Sequence, residues 1–135
     1  MIVDALVLSG GRGARLGGVA KAGLLVDGAT LLERTVGALG AARSLVIVGD
    51  APPRLLDARV SAAREHPAYG GPVAALGAGL AALDARREPA ADAVLLLAVD
   101  MPHVTPLVPE LLAALAALPT ADAVLALDES QRVQP

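Results

Sequence analysis

Residues 2–21 read IVDALVLSGGRGARLGGVAK, an apolar run that passes directly into a loop rich in glycine. The run from Ile2 to Leu8 is unbroken except for Asp4, as expected of a strand that is covered on both faces of a sheet. Glycines allow backbone N–H groups to approach a ligand closely, so the loop after this strand is a candidate anion site. This stretch predicts a parallel sheet with a binding loop at its edge.

Three further apolar runs have the length and composition of buried strands. They are Leu45–Val48, Ala93–Val99 and Ala123–Leu127, and each ends close to glycine, proline or aspartate. Helical segments lie between them, and strands that alternate with helices indicate right-handed βαβ units. The sequence therefore predicts an α/β fold with a doubly wound, mostly parallel, Rossmann-like sheet.

The helices carry recognisable start and stop signals. Thr30 and Glu33 have the spacing of a capping box, and Pro72 can open a second helix that reaches about Arg87. Thr105 is predicted as the N-cap of a third helix, which has Pro106 at its first position and runs over residues 107–118.

Composition limits the classes of function. The 135 residues predict one domain spanning residues 1–135, and a net charge of −3 argues against nucleic acid as a partner. The chain lacks cysteine, so disulfides and thiolate metal sites are excluded. The N-terminus does not resemble a signal peptide, and no apolar run is long enough to span a membrane. We expect a soluble, cytoplasmic protein.

The loop combines glycines with positive charge. Neither of two well-known phosphate motifs fits it, because Ala22 follows Lys21 where a Walker A loop needs Ser or Thr, and Leu16 stands at the third glycine of a dinucleotide fingerprint. Arg15 is a candidate catalytic residue that could instead pack the loop against the domain. The predicted nucleotide-binding residues are Leu8, Ser9, Gly10, Gly11, Arg12, Gly13 and Lys21.

Lys21 and Asp100 are the strongest single candidates for catalytic residues. The chain contains ten arginines but one lysine, and that lysine ends the glycine-rich loop. Asp100 directly follows the third apolar run, which should place its carboxylate at the same edge of the sheet as the loop. A carboxylate there, together with substrate phosphates and water, is typical of a Mg²⁺ site.

The pattern L-x-G-G-x-x-x-R-x-G-G-x-x-K, formed by residues 8–21, resembles the signature loop of the molybdenum cofactor guanylyltransferase family. Three later segments also resemble that family: residues 23–28, Gly71–Leu76, and Val99–Pro102 with its D-x-P turn. The chain differs from the usual family pattern at Ala20, Gly49 and His66.

This resemblance implies a Mg²⁺-dependent transfer of GMP from GTP to molybdopterin with release of pyrophosphate. It implies that Asp100 holds the metal and that the loop holds the triphosphate. Cytidylyl relatives typically carry alanine where this chain has Gly10, and the missing Cβ leaves more room for a purine. Family members generally extend beyond Pro135, so the region that faces the acceptor is expected to be missing.

Three alternatives remain open. A related enzyme could transfer CMP, or could transfer UMP or dTMP to a sugar phosphate. The chain could also be a nucleotide-binding module without transferase activity. A dinucleotide-dependent oxidoreductase is disfavoured by Leu16 and by Val48–Gly49, where no acidic residue ends the second strand.

Overall fold

The computed structural model of the chain describes residues 1–10, 15–16, 19–68, 70–127, 130 and 132–134, with the backbone alone at 15–16, 19 and 133–134. Strands and helices alternate along these residues. The strands are β1 (Val3–Leu8), β2 (Arg15–Leu16), β3 (Val19–Ala20), β4 (Leu25–Val26), β5 (Ala29–Thr30), β6 (Leu45–Val48), β7 (Val60–Ala63), β8 (Ala93–Ala98), β9 (Ala126–Leu127) and β10 (Val133–Gln134). The α-helices are α1 (Leu31–Ala38), α2 (Pro72–Asp84) and α3 (Leu107–Ala117).

Four strands form a parallel sheet in the order β7-β6-β1-β8. In its register Leu6 of β1 lies beside Val46 of β6 and Leu96 of β8. Because β1 and β6 are the inner strands, their side chains are almost wholly buried. The predicted α/β fold with a mostly parallel sheet is confirmed.

Helices cover both faces of this sheet. Leu6, Val46 and Val48 point to one face, where partly buried residues of α2 pack against them. The alternate residues, among them Val7 and Ile47, point to the other face and join the larger core formed with α1 and α3. This arrangement explains why the strands read as continuous apolar runs.

Three short hairpins accompany the sheet: β2 with β3, β4 with β5, and β9 with β10. In the β4–β5 hairpin the two turn residues, Asp27 and Gly28, both have positive φ, at 52° and 82°. An Asp-Gly pair with two positive φ values is typical of the tight turns that match the twist of paired strands.

The capping box predicted for α1 is present. The Glu33 backbone N–H donates to the Thr30 hydroxyl at 3.1 Å, and the Thr30 N–H donates to the Glu33 carboxylate at 2.8 Å. The Arg54 guanidinium also donates to this carboxylate. These bonds, the one from Thr30 first, lower the pKa of Glu33, because each of them favours the ionised form.

Asp4, the acid that interrupts the first apolar run, is buried at the amino-terminal edge of the sheet. Arg43 binds it with two hydrogen bonds of 3.0 and 2.7 Å, and the Ser44 N–H donates to it at 3.2 Å. The bonds to Asp4 raise the pKa of the Arg43 guanidinium. A buried charge requires such pairing.

One strand prediction needs correction, and one strand of the sheet was not predicted. The run Ala123–Leu127 does not form a strand of the main sheet: its last two residues, Ala126–Leu127, form β9, which pairs with β10 in an antiparallel hairpin. Conversely, β7 belongs to the sheet although its sequence, Val-Ser-Ala-Ala, gave no strand signal. It lies at the sheet edge, where Ala62 is exposed and the polar Ser61 interrupts its apolar residues.

Two helix boundaries also differ from prediction. Helix α2 ends at Asp84 instead of near Arg87, because Arg87 has a φ of 55° and turns the chain. Thr105 does not cap α3: the N-cap is Pro106, and the Leu107 N–H donates to the carbonyl of Val104, whose buried side chain anchors this turn. None of the helices in the described ranges is long and apolar enough to cross a membrane.

Candidate active site

The carboxyl ends of β1, β6 and β8 meet at one edge of the sheet. Ser9 and Gly10 follow β1, Gly49 follows β6, and Asp100 follows β8 with one residue between. The Val99 N–H still donates to the Leu8 carbonyl at 3.1 Å, so the chain leaves β8 alongside the end of β1. In open α/β sheets ligands bind at this edge, which makes it the candidate site.

The first residues of the glycine-rich loop are fixed to the end of β6. The Ser9 N–H donates to the Val48 carbonyl at 2.9 Å, and the Ser9 hydroxyl donates to the Asp50 carbonyl at 2.8 Å. Ser9 is buried, whereas Gly10 is exposed. Ser9 therefore positions the exposed backbone of Gly10.

Gly10 and Gly49 approach each other backbone to backbone. A Cβ on Gly49 would lie 2.7 Å from the Gly10 nitrogen, and a Cβ on Gly10 would lie 3.3 Å from the Gly49 Cα. Gly49 also has a φ of 115°, which side chains rarely adopt. The close contact gives a physical reason for glycine at both positions, including Gly49, one of the positions where the chain differs from the resembled family.

Gly11, Arg12 and Gly13, three predicted nucleotide-binding residues, lie outside the described residues, as do 17–18. Arg15 lies in β2, where its backbone pairs with Ala20 of β3. This hairpin returns the chain from the loop to Lys21.

Lys21 and Asp100 are in direct contact, although 79 positions separate them in the sequence. The Lys21 amine donates to Oδ2 of Asp100 at 3.3 Å, and the two side chains are 28% and 50% exposed. Lys21 opens a short 3-10 turn that ends at Gly23, and this turn is held by the buried Ala22 and by the Leu24 N–H, which donates to the Lys21 carbonyl. The structure thus brings together the two residues that the sequence marks most strongly.

Arg34 of α1 links the two segments that carry this pair, a role that the sequence analysis missed. Its Nε donates to the Pro102 carbonyl at 3.3 Å, just beyond Asp100. Its other end donates to the Val26 carbonyl at 3.4 Å, in the hairpin that follows Lys21. An arginine on the partly buried side of an amphipathic helix is the signal that could have indicated this role.

A second ion pair lies at the β6 and β7 end of the same edge. Arg64 donates to Asp50 at 2.9 Å, and both side chains are more than half exposed. Asp50 is also the residue whose carbonyl accepts the Ser9 hydroxyl. Ion pairs between such exposed side chains commonly contribute little to stability. The Arg64–Asp50 pair is therefore a suitable control for substitutions in the Lys21–Asp100 pair.

Asp100 has the chemistry of a ligand for Mg²⁺. Its carboxylate is half exposed and already accepts a cation, the Lys21 ammonium. In the described part of the chain, no three acidic or histidine side chains cluster in a way that could hold a metal. A metal at Asp100 would therefore need oxygen ligands from phosphates and water, as Mg²⁺ commonly has in nucleotide sites.

Comparison with known proteins gives the family. The model of the MobA-like NTP transferase domain matches residues 5–135. The chain belongs to this family. None of the curated proteins matches the chain significantly.

Among solved structures, this NTP transferase domain is similar to the 2-C-methyl-D-erythritol 4-phosphate cytidylyltransferase of Thermus thermophilus. The TM-score is 0.54 and the sequence identity is 25% over 100% of the chain. The chain spans 64% of the length of that enzyme. The likeness agrees with the parallel sheet and with family membership.

Proposed function

We propose that this domain is a nucleotidyltransferase that moves GMP from GTP to molybdopterin. Family membership supports nucleotidyl transfer as the class of reaction. The observation that carries the assignment of the site is the 3.3 Å contact between Lys21 and Asp100 at the edge where the glycine-rich loop begins. A cationic residue from the loop and a carboxylate from β8 are the two groups that a triphosphate with its metal requires.

In the proposed reaction, a terminal phosphate oxygen of molybdopterin attacks the α-phosphorus of GTP. A new P–O bond forms, the bond between the α-phosphorus and its bridging oxygen breaks, and pyrophosphate leaves with the electron pair. Backbone N–H groups from Gly10 onward, with Arg12, Arg15 and Lys21, would hold the phosphates and offset the charge that develops on the leaving group. Mg²⁺ held at Asp100 would stabilise negative charge on phosphate oxygens.

GTP is favoured over CTP by Gly10, which the resembled cytidylyl relatives replace with alanine. Transfer of CMP is the second candidate, and the structural similarity to a cytidylyltransferase favours it. Both candidates use the same edge of the sheet and the same two charged residues.

A thermal-unfolding panel tests the choice of nucleotide. The domain is measured with Mg²⁺ and each of the four ribonucleoside triphosphates, and a ligand at 100 times its Kd should stabilise it by about 2.7 kcal/mol. We expect GTP to stabilise most. Greater stabilisation by CTP would replace the guanylyl assignment with the cytidylyl one, and the absence of an effect from all four would refute the proposal.

Transfer itself is measured as pyrophosphate release from GTP in the presence of molybdopterin. We expect Lys21→Met and Asp100→Asn each to lower turnover by about 100- to 1000-fold, the usual effect of removing one group that stabilises developing charge. Arg64→Gln, which changes a charge at the same edge, should retain turnover. GTP binding without pyrophosphate release would mean that the chain is a nucleotide-binding module.

A further inference from the structure

We infer that Lys21 occupies the cation position on Asp100 until a nucleotide is present, so that the metal binds weakly alone and tightly with the triphosphate. This inference rests on the proposed function, and it goes further by assigning to Lys21 a second role, that of a competitor with the metal. The role follows from the contact of its amine with Oδ2 of Asp100.

The geometry makes the two cations mutually exclusive at one oxygen. Mg²⁺ takes oxygen ligands at about 2.0–2.1 Å and demands a nearly octahedral arrangement. An ammonium group 3.3 Å from Oδ2 lies within the space that the metal and its water ligands would fill. Two positive charges on one carboxylate also repel each other. A metal that binds Oδ2 of Asp100 must therefore displace the Lys21 amine.

The triphosphate provides the displaced amine with a new partner. Lys21 ends the loop that is proposed to hold the phosphates, and its side chain is partly exposed and can move without disturbing the core. Nucleotide binding would draw the amine toward phosphate oxygens and free Oδ2 for the metal. Each ligand would then increase the affinity for the other by the same factor, as linkage requires.

The buried parts of the site favour a switch by the side chain alone. Ala22 is buried beside Lys21, and Val99 is buried beside Asp100. Arg34 further joins the turn after Asp100 to the hairpin that follows Lys21. Because the two backbones are held in this way, the lysine side chain is the part that can change partners.

The test uses Mn²⁺ alone as the probe, with its binding measured by electron paramagnetic resonance. We expect Lys21→Met to bind Mn²⁺ roughly twofold to fivefold more tightly than the parent. A change of that size corresponds to the interaction energy of a partly exposed ion pair, which the metal no longer has to break. The same variant should bind GTP more weakly. Opposite changes for the two ligands would not result from general damage to the fold.

Three controls complete the design. Asp100→Asn should remove Mn²⁺ binding, Lys21→Arg should keep it weak, and Arg64→Gln should leave it unchanged because Arg64 pairs with Asp50. Unchanged or weaker Mn²⁺ binding in Lys21→Met would overturn the inference. If the parent then still bound GTP with Mg²⁺, the proposed function would stand. If it did not, both would fail.

The composition of the chain offers a direct readout as well. Because Lys21 is the only lysine, lysine labelled with ¹³C at the ε carbon gives one signal in NMR spectra. We expect this signal to shift when GTP is added, and also to shift without GTP when Asp100 is replaced by Asn, because each change separates the amine from the Asp100 carboxylate. A signal that remains unchanged with saturating GTP would show that the amine does not leave Asp100 and would overturn the inference.

Discussion

The contact between Gly10 and Gly49 can be tested by adding a single methyl group. In Gly49→Ala the new Cβ would lie 2.7 Å from the Gly10 nitrogen, 2.9 Å from its Cα and 3.1 Å from the Ser9 carbonyl carbon. All three are backbone atoms, so no side chain can rotate away to make room. The substitution must either move the start of the glycine-rich loop or strain the end of β6.

Two costs contribute to the expected loss of stability. A φ of 115° is unfavourable for alanine, and such backbone strain costs about 1–3 kcal/mol. Overlap with packed neighbours adds typically about 1–3 kcal/mol. We therefore expect Gly49→Ala to lower the free energy of unfolding by roughly 2–6 kcal/mol. That is a large share of the total of about 5–15 kcal/mol that is typical of a small domain.

Gly28→Ala is the matched control. Gly28 also has a positive φ, of 82°, but a Cβ there would meet nothing within 4 Å. Its cost should be the backbone strain alone, about 1–2 kcal/mol for a left-handed residue. The difference between the two variants isolates the overlap with Gly10.

Urea unfolding measures the free energy of unfolding of both variants, and the slope of that free energy against urea concentration should be the same for each. Gly49→Ala should lose clearly more stability than Gly28→Ala, and it should also weaken GTP binding, because the overlap displaces Gly10. Equal losses in the two variants would refute the claim that the backbones of Gly10 and Gly49 are in tight contact. Full GTP affinity in a folded Gly49→Ala would show that the position of Gly10 does not matter for binding.

Two further predictions concern the helices. In α2, Gly77→Ala should raise the free energy of unfolding by about 0.5–1 kcal/mol through helix propensity, because nothing lies within 4 Å of its new Cβ. Gly79→Ala should lower the free energy of unfolding by about 1–2 kcal/mol, since its Cβ would lie 2.9 Å from Leu6 Cδ2. Thermal unfolding compares the two variants, and a stabilised Gly79→Ala would contradict the close packing of α2 on Leu6. At the start of α1, Glu33→Gln should destabilise the protein most above pH 4.5, the ordinary pKa, because the bond from Thr30 lowers the pKa of the folded state. That stabilisation is lost as the pH falls through the folded-state pKa, so a stability difference that is constant from about pH 3 to about pH 7 would refute it.

The sequence predicts a strand correctly where burial on both faces of the sheet requires a continuous apolar run. Leu45–Val48 is apolar throughout because both of its faces are covered, so its bounds could be read directly. Val60–Ala63 is half exposed at the sheet edge, and its sequence does not contain a continuous apolar run. The run Ala123–Leu127 is apolar like a buried strand, but its pairing with β10 in a short hairpin, instead of with the main sheet, could not be read from its own composition.

The same distinction applies to the site. The rule that parallel strands end at one edge was enough to expect Asp100 and Lys21 near each other. Their direct contact depends on the path of the hairpins after the loop, which no local pattern specifies. The bridge made by Arg34 was missed for the same reason, because its acceptors are backbone carbonyls that any residue could supply.

The separation of Lys21 and Asp100 along the chain has a consequence for folding. Contacts between residues so distant in sequence tend to form late, because a long loop must close first. Until β8 docks beside β1, a folding chain carries the lysine without its carboxylate. Ligands of the completed pocket would therefore act on the last stage of assembly, by selectively stabilising molecules in which β8 has docked.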